Sequence, residues 1–112
     1  MKGIQDIKIG IIGGGQLGKM ILIEANRMNL KTLVLDSNKN SPCKNLCNNF
    51  YTGKLDNYND ILEFGLRCDI ITFEIEHINI DALFKLEHMG KKVYPKPHTL
   101  SIVQDKSKQK KF

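Results

Sequence analysis

Gly13, Gly15 and Gly18 stand in the spacing G-x-G-x-x-G, directly after the apolar run Ile9-Gly10-Ile11-Ile12 and directly before a helix-like pattern that opens at Gln16 and Leu17. In such a loop the first glycine permits a tight turn, the second lets backbone come close to a ligand, and the third lets helix pack on strand. Backbone N–H groups then point at the guest, and the helix dipole adds about half a positive charge at that end, so a phosphate or carboxylate is expected there. Gln16, inside the loop, carries an amide that both donates and accepts. Asp36 follows the loop by about 20 residues, where a carboxylate can accept hydrogen bonds from ribose hydroxyls or simply form a turn. Glu74 and Glu76 fall on one side of an extended segment, and two carboxylates so placed repel unless donors or cations lie between them. A ligand-facing pair and a solvated pair at a strand exit both meet that condition. His77, with no recognisable nucleophile or metal partner, is a structural or surface histidine. A fourth group runs from Pro95-Lys96-Pro97 to Gln104-Asp105-Lys106, and Lys106 taken alone is a solvated charge.

These groups meet only if the segments between them form strands that end where the groups begin. Leu17, Met20, Ile21, Ala25 and Met28 recur at helical spacing, with Lys19, Glu24 and Arg27 left for the wet side. Thr32-Leu33-Val34-Leu35-Asp36 is then a second short strand, and strand-helix-strand implies parallel pairing with a right-handed crossover. Residues 37–49 turn polar and Asn-rich around Pro42, as a surface loop does. Phe50-Tyr51-Thr52 is a third strand, and Asn57 is placed to cap a helix carrying Ile61, Leu62 and Leu66. Ile70-Ile71-Thr72-Phe73 has the β-branched, apolar content of a buried fourth strand. A helix through Ile80, Leu83, Phe84 and Glu87, stopped near Gly90, leads to Val93-Tyr94 as a fifth strand. The alternation defines an α/β fold, an open, doubly wound parallel sheet with helices on both faces. Ligands of such sheets lie beyond the carboxyl ends of the strands, where all four groups fall.

At 112 residues the chain is one domain's worth of sequence, short for an enzyme that must hold two substrates. The net charge of +5 is uneven, because Lys106, Lys108, Lys110 and Lys111 against Asp105 put +3 in the last twelve residues. That tail lacks interleaved aromatics before Phe112, and no recognition helix or RNA-binding signature precedes it, so no nucleic-acid partner is expected. Cys43, Cys47 and Cys68 are odd in number and lack C-x-x-C spacing, which fits reduced thiols in place of a disulfide framework or zinc site. Residues 1–6 have no apolar signal core, and no apolar run approaches the roughly 18 residues of a membrane span. A soluble, cytoplasmic protein with no membrane association is expected.

Together, Gly13-Gly14-Gly15-Gln16-Leu17-Gly18-Lys19-Met20, Asp36, Phe73-Glu74-Ile75-Glu76-His77-Ile78, Tyr94-Pro95 and Gln104-Asp105-Lys106-x-x-Gln109-Lys110 resemble the amino-terminal part of the N5-carboxyaminoimidazole ribonucleotide synthetases, of the ATP-grasp superfamily. The resemblance runs in order through essentially the whole chain. It implies a Rossmann-like pre-ATP-grasp domain over residues 1–100 and the start of a truncated ATP-grasp domain over 101–112. It also implies an ATP-dependent carbon-nitrogen ligase of de novo purine synthesis, which activates bicarbonate and carboxylates the exocyclic amine of 5-aminoimidazole ribonucleotide. By the same resemblance Gly13, Gly15, Gln16, Leu17 and Asp36 hold the ribonucleotide, Glu74 and Glu76 are catalytic, and Lys106 contacts ATP. Mg2+ is expected in the full-length enzyme with its ligands beyond this chain, as is a homodimer. The chain looks cut off, and the fragment alone is expected to be inactive. A nicotinamide-dependent dehydrogenase domain would use the glycine loop and Asp36 equally well, and a non-enzymatic nucleotide-binding module is the third reading.

Overall fold

The computed structural model describes residues 6–13, 15–73 and 78–97. The apolar runs form β1 (Lys8–Ile12), β2 (Lys31–Asp36), β3 (Asn49–Thr52), β4 (Ile70–Phe73) and β5 (Lys92–Tyr94), and the amphipathic stretches form α1 (Gln16–Arg27), α2 (Tyr58–Leu66) and α3 (Ile80–His88). The five strands make one sheet in the order β3-β2-β1-β4-β5, every pair parallel. From β1 the chain winds outward through β2 to β3, then returns to β1's other side and winds outward through β4 to β5. The reversal opens a crevice between the carboxyl ends of β1 and β4, where Ile12 pairs with Phe73. The expected α/β class and all eight elements are present.

Burial divides along the sheet's two faces. On one, α2 and α3 set Ile61, Phe64, Leu83 and Leu86 against Ile12, Leu33, Leu35, Ile71 and Val93. On the other, Leu22 of α1 meets Ile11 and Val34, with Cys43 from the polar loop completing the cluster. Asn48 pins the end of that loop, its Oδ1 accepting from the Thr32 backbone N–H at 2.9 Å.

α1 packs through a narrower stripe than its apolar spacing predicts. Leu22 and Ala25 are buried, whereas Met20 is 63 % and Met28 57 % exposed. The reason lies at Gly18, also buried, where the missing side chain lets α1 descend onto β1 and so selects the Gly18-Leu22-Ala25 side as the contact. α2 and α3 are likewise rotated from expectation, with Phe64 and Leu86 inside and Leu66 and Phe84 partly exposed, at 45 % and 38 %. Among the described residues no helix is long and apolar enough to cross a membrane. The expected domain boundary at residue 100 and the Gln104-Asp105-Lys106 element lie outside the described residues.

Candidate nucleotide-binding site

The glycine loop turns directly off β1. Gly13 adopts φ of +94°, a left-handed conformation open mainly to glycine, and its N–H donates to the Leu35 carbonyl at 2.8 Å. That bond ties the first bend of the loop to the end of β2. Gly15 is extended and serves as the N-cap of α1, its carbonyl accepting from the Lys19 N–H at 3.0 Å. A side chain at Gly18 would place its Cβ 3.0 Å from the Gly13 carbonyl oxygen and 3.3 Å from Ile11 Cγ2. Gly13 and Gly18 thus perform the tasks that their positions in the spacing imply, a turn and a helix seated on a strand, and Gly15 between them caps the helix.

The start of α1 differs from the starts of the other helices. Asn57 Oδ1 accepts from the Asp60 N–H at 3.0 Å and Asn79 Oδ1 from the Ala82 N–H at 3.0 Å, so side chains cap α2 and α3. Each of those helices also carries an acid in its first turn, Asp60 and Asp81. α1 has neither a side-chain cap nor a first-turn acid. Its first turn therefore has neither a side-chain acceptor at the cap nor a carboxylate of its own, as an anion guest requires. Gln16, the first helical residue, is exposed at this end, and the backbone of Leu17 follows it in the first turn.

Asp36 closes β2 at the same end of the sheet, one residue beyond the Ile12–Leu35 pair. It is half-buried, and its Oδ1 accepts from the Asn38 N–H at 3.3 Å, so it does form the turn that its residue type allows. Glu74, Glu76 and His77 follow β4 in sequence but lie outside the described residues, as does Lys106. The described residues therefore bring Gly13, Gly15, Gln16 and Asp36 to one end of the sheet. Among them, no three His, Cys, Asp or Glu side chains gather as metal ligands.

One buttress of the loop has no counterpart in the sequence-level expectations. Cys43 is fully buried; its Sγ lies 3.9 Å from the Gly15 carbonyl oxygen and 3.6 Å from the space above Gly18. Its only signal in the sequence is that it is a small apolar side chain inside a polar, Asn-rich segment. The other two thiols sit elsewhere, and burial raises both above the ordinary thiol range, Cys68 to about 12.

An open parallel sheet wound both ways from its first strand, with a glycine loop at the reversal, defines a Rossmann-like α/β domain. Residues 7–104 match the ribonucleotide synthetase preATP-grasp domain, and the chain belongs to this family. It is 41% identical over 108 residues, 96% of its length, to the chloroplastic phosphoribosylaminoimidazole carboxylase of Vigna aconitifolia, of which it spans 19%. N5-carboxyaminoimidazole ribonucleotide synthetase from Thermotoga maritima superimposes with a TM-score of 0.82 at 39% identity, covering 88% of this chain and 27% of that one. The Aspergillus clavatus N5-carboxyaminoimidazole synthase, solved with ADP and 5-aminoimidazole ribonucleotide, gives a TM-score of 0.78 at 33% identity, covering 88% of this chain and 26% of that one. The chain thus spans about a fifth of its curated relative and about a quarter of these solved enzymes.

Proposed function

We propose that this domain holds the ribonucleotide in an ATP-dependent ligase that carboxylates 5-aminoimidazole ribonucleotide to its N5-carboxyamino form, with bicarbonate as the carboxyl source. The observation that carries the reading is α1's uncapped, acid-free N-terminus behind a glycine bend, in a chain whose relative was solved with that ribonucleotide. In this reading the N–H groups around Gly15, Gln16 and Leu17 hold the 5′-phosphate, and the Gln16 amide donates and accepts at the sugar. Asp36, beyond its turn-forming contact, faces the ribose hydroxyls.

Glu74 accepts from the substrate amine and orients it toward the carboxyl donor, with Glu76 beside it; such positioning is worth several kcal/mol of barrier. Lys106 offsets phosphate charge on ATP. Residues 1–100 form the pre-ATP-grasp domain and 101–112 begin the next one, which with the rest of the enzyme supplies the magnesium ligands. A homodimer follows from the same resemblance. A cytoplasmic location is part of the proposal, although the Vigna relative is named chloroplastic.

The test replaces the amino-terminal domain of the Thermotoga maritima synthetase with this chain and measures phosphate release. Release that requires 5-aminoimidazole ribonucleotide, bicarbonate and Mg2+ together, and that Gly15→Val abolishes while the chimera stays folded, supports the proposal. A folded chimera without that dependence refutes it. Binding of NAD to the isolated chain, with none of the ribonucleotide, would transfer the assignment to a dehydrogenase domain.

A further inference from the structure

The opposite end of the sheet carries a second collection of charge that the glycine loop does not use. Lys8 and Lys31 begin β1 and β2 and stand directly opposite each other in register, both exposed. Like charges paired across strands oppose sheet formation. Among the described residues neither side chain makes an ion pair or a hydrogen bond. On the same side, Arg67 lies 4.9 Å over the Tyr51 ring. Together with Asn49 these residues line a depression of about 290 Å³.

Helix ends account for only part of this charge. The carboxyl end of α2 attracts cations, and Arg67 Nη1 donates to the Glu63 carbonyl at 3.0 Å while Lys91 Nζ donates to the Leu66 carbonyl at 3.3 Å. The side chains of Lys8 and Lys31 have no such employment, and the carboxylate beside them, Asp69, accepts from the Lys8 backbone N–H at 2.9 Å. Their juxtaposition becomes favourable once an anion lies between them, with the Arg67 guanidinium and the Asn49 amide as further donors.

We propose that this depression binds a compact anion bearing one or two phosphoryl groups. Its volume falls at the lower limit of small-molecule pockets, which suits pyrophosphate or a small phosphate ester. The site is independent of the proposed ribonucleotide site, because it lies at the amino ends of the strands and shares no residue with the loop.

The experiment titrates the 112-residue chain with inorganic pyrophosphate while backbone amide resonances are followed, with sodium chloride at matched ionic strength as the reference. Saturable shifts at Lys8, Lys31 and Arg67 are expected, weakening about tenfold in Lys31→Glu, as loss of one charge-assisted contact implies, and weakening with added salt. Lys8→Gln supplies the same comparison should Lys31→Glu fail to fold. Shifts confined to residues 13–18, shifts that grow linearly like those from chloride, or affinity unchanged in a folded variant would each overturn the site. None of these outcomes bears on ribonucleotide binding by the glycine loop.

Discussion

Gly10 and Cys68 compete for one volume, and a double-mutant cycle measures how tightly. A Cβ added at Gly10 would overlap the Cys68 sulfur and stand 3.0 Å from Phe64 Cε2, both partners being about 1% exposed. With β1 central in the sheet and α2 lying over it, neither side can retreat cheaply. Overpacking of this kind costs about 1–3 kcal/mol, and the overlap with a buried sulfur places Gly10→Ala toward about 3. Cys68→Ala removes one buried heavy atom and its 3.4 Å contact to the Phe64 carbonyl, a loss comparable to a deleted methylene at about 1 kcal/mol. In the double variant removal of the sulfur relieves the worst clash and leaves the new methyl 3.0 Å from Phe64 Cε2 and 3.1 Å from the Cβ at position 68, so the combined loss is about 1–2 kcal/mol where simple addition gives about 4. A coupling of about 2–3 kcal/mol lies within the range seen for residues in direct contact. Urea unfolding followed by far-ultraviolet circular dichroism reads all four proteins. Losses that add to within about 0.5 kcal/mol would refute the claim that β1 and the turn leaving α2 meet through these two residues.

Three further outcomes are expected. Burial lifts the Cys68 thiol from 9.0 to about 12, so the unfolded chain releases this proton at lower pH than the folded one. Stability contributed by the neutral thiol is therefore complete below pH 9.0 and is lost as pH rises toward about 12. Urea midpoints measured across that window in the parent and in Cys68→Ala check the sign, and equal slopes would count against it. Asn57→Ala should cost about 1 kcal/mol as a lost cap, and Asn79→Ala more, about 2, because Asn79 Nδ2 also donates to the Asp56 carbonyl at 3.2 Å; thermal melts that reverse the order contradict the assignment. Gly18→Ala sets a methyl 3.0 Å from the Gly13 carbonyl oxygen and tilts the loop, so calorimetry should show affinity for 5-aminoimidazole ribonucleotide at least about tenfold weaker in a folded protein. Unchanged affinity would detach the loop from the proposed phosphate site.

How much of this was legible before the structure depends on the range over which each residue acts. Strands announced themselves through short apolar runs, and the helix of residues 58–66 through a cap whose partner lies three residues away, Asn57 to Asp60. The packing of α1 was not legible, because Met20, Ile21, Leu22, Ile23 and Met28 surround it with apolar side chains and several stripes satisfy a helical period equally well. What selects among them is the absence of a side chain at Gly18, felt only when Ile11 and the Gly13 carbonyl are brought opposite it. Cys43 beneath Gly15 is likewise a contact across 28 residues, and the Lys8–Lys31 pairing exists only once the strand register is set.

The glycine loop was legible because its signal is local, three glycines in fixed spacing directly after an apolar run, and the structure adds that the helix it opens breaks a local rule. A helix start with no Ser, Thr, Asp or Asn cap and no first-turn acid is a poor start in isolation, while α2 and α3 in the same chain follow the rule. Such an exception is stable only if something outside the helix satisfies the N–H groups, either water or a guest. The Gly13 bond to Leu35 and the seat of Gly18 on β1 hold Gly13 and Gly18 in place without a ligand. An anion entering there meets donors already held in place and incurs little ordering cost. The local imperfection of α1 is in this way the same feature on which the proposed binding of the ribonucleotide phosphate rests.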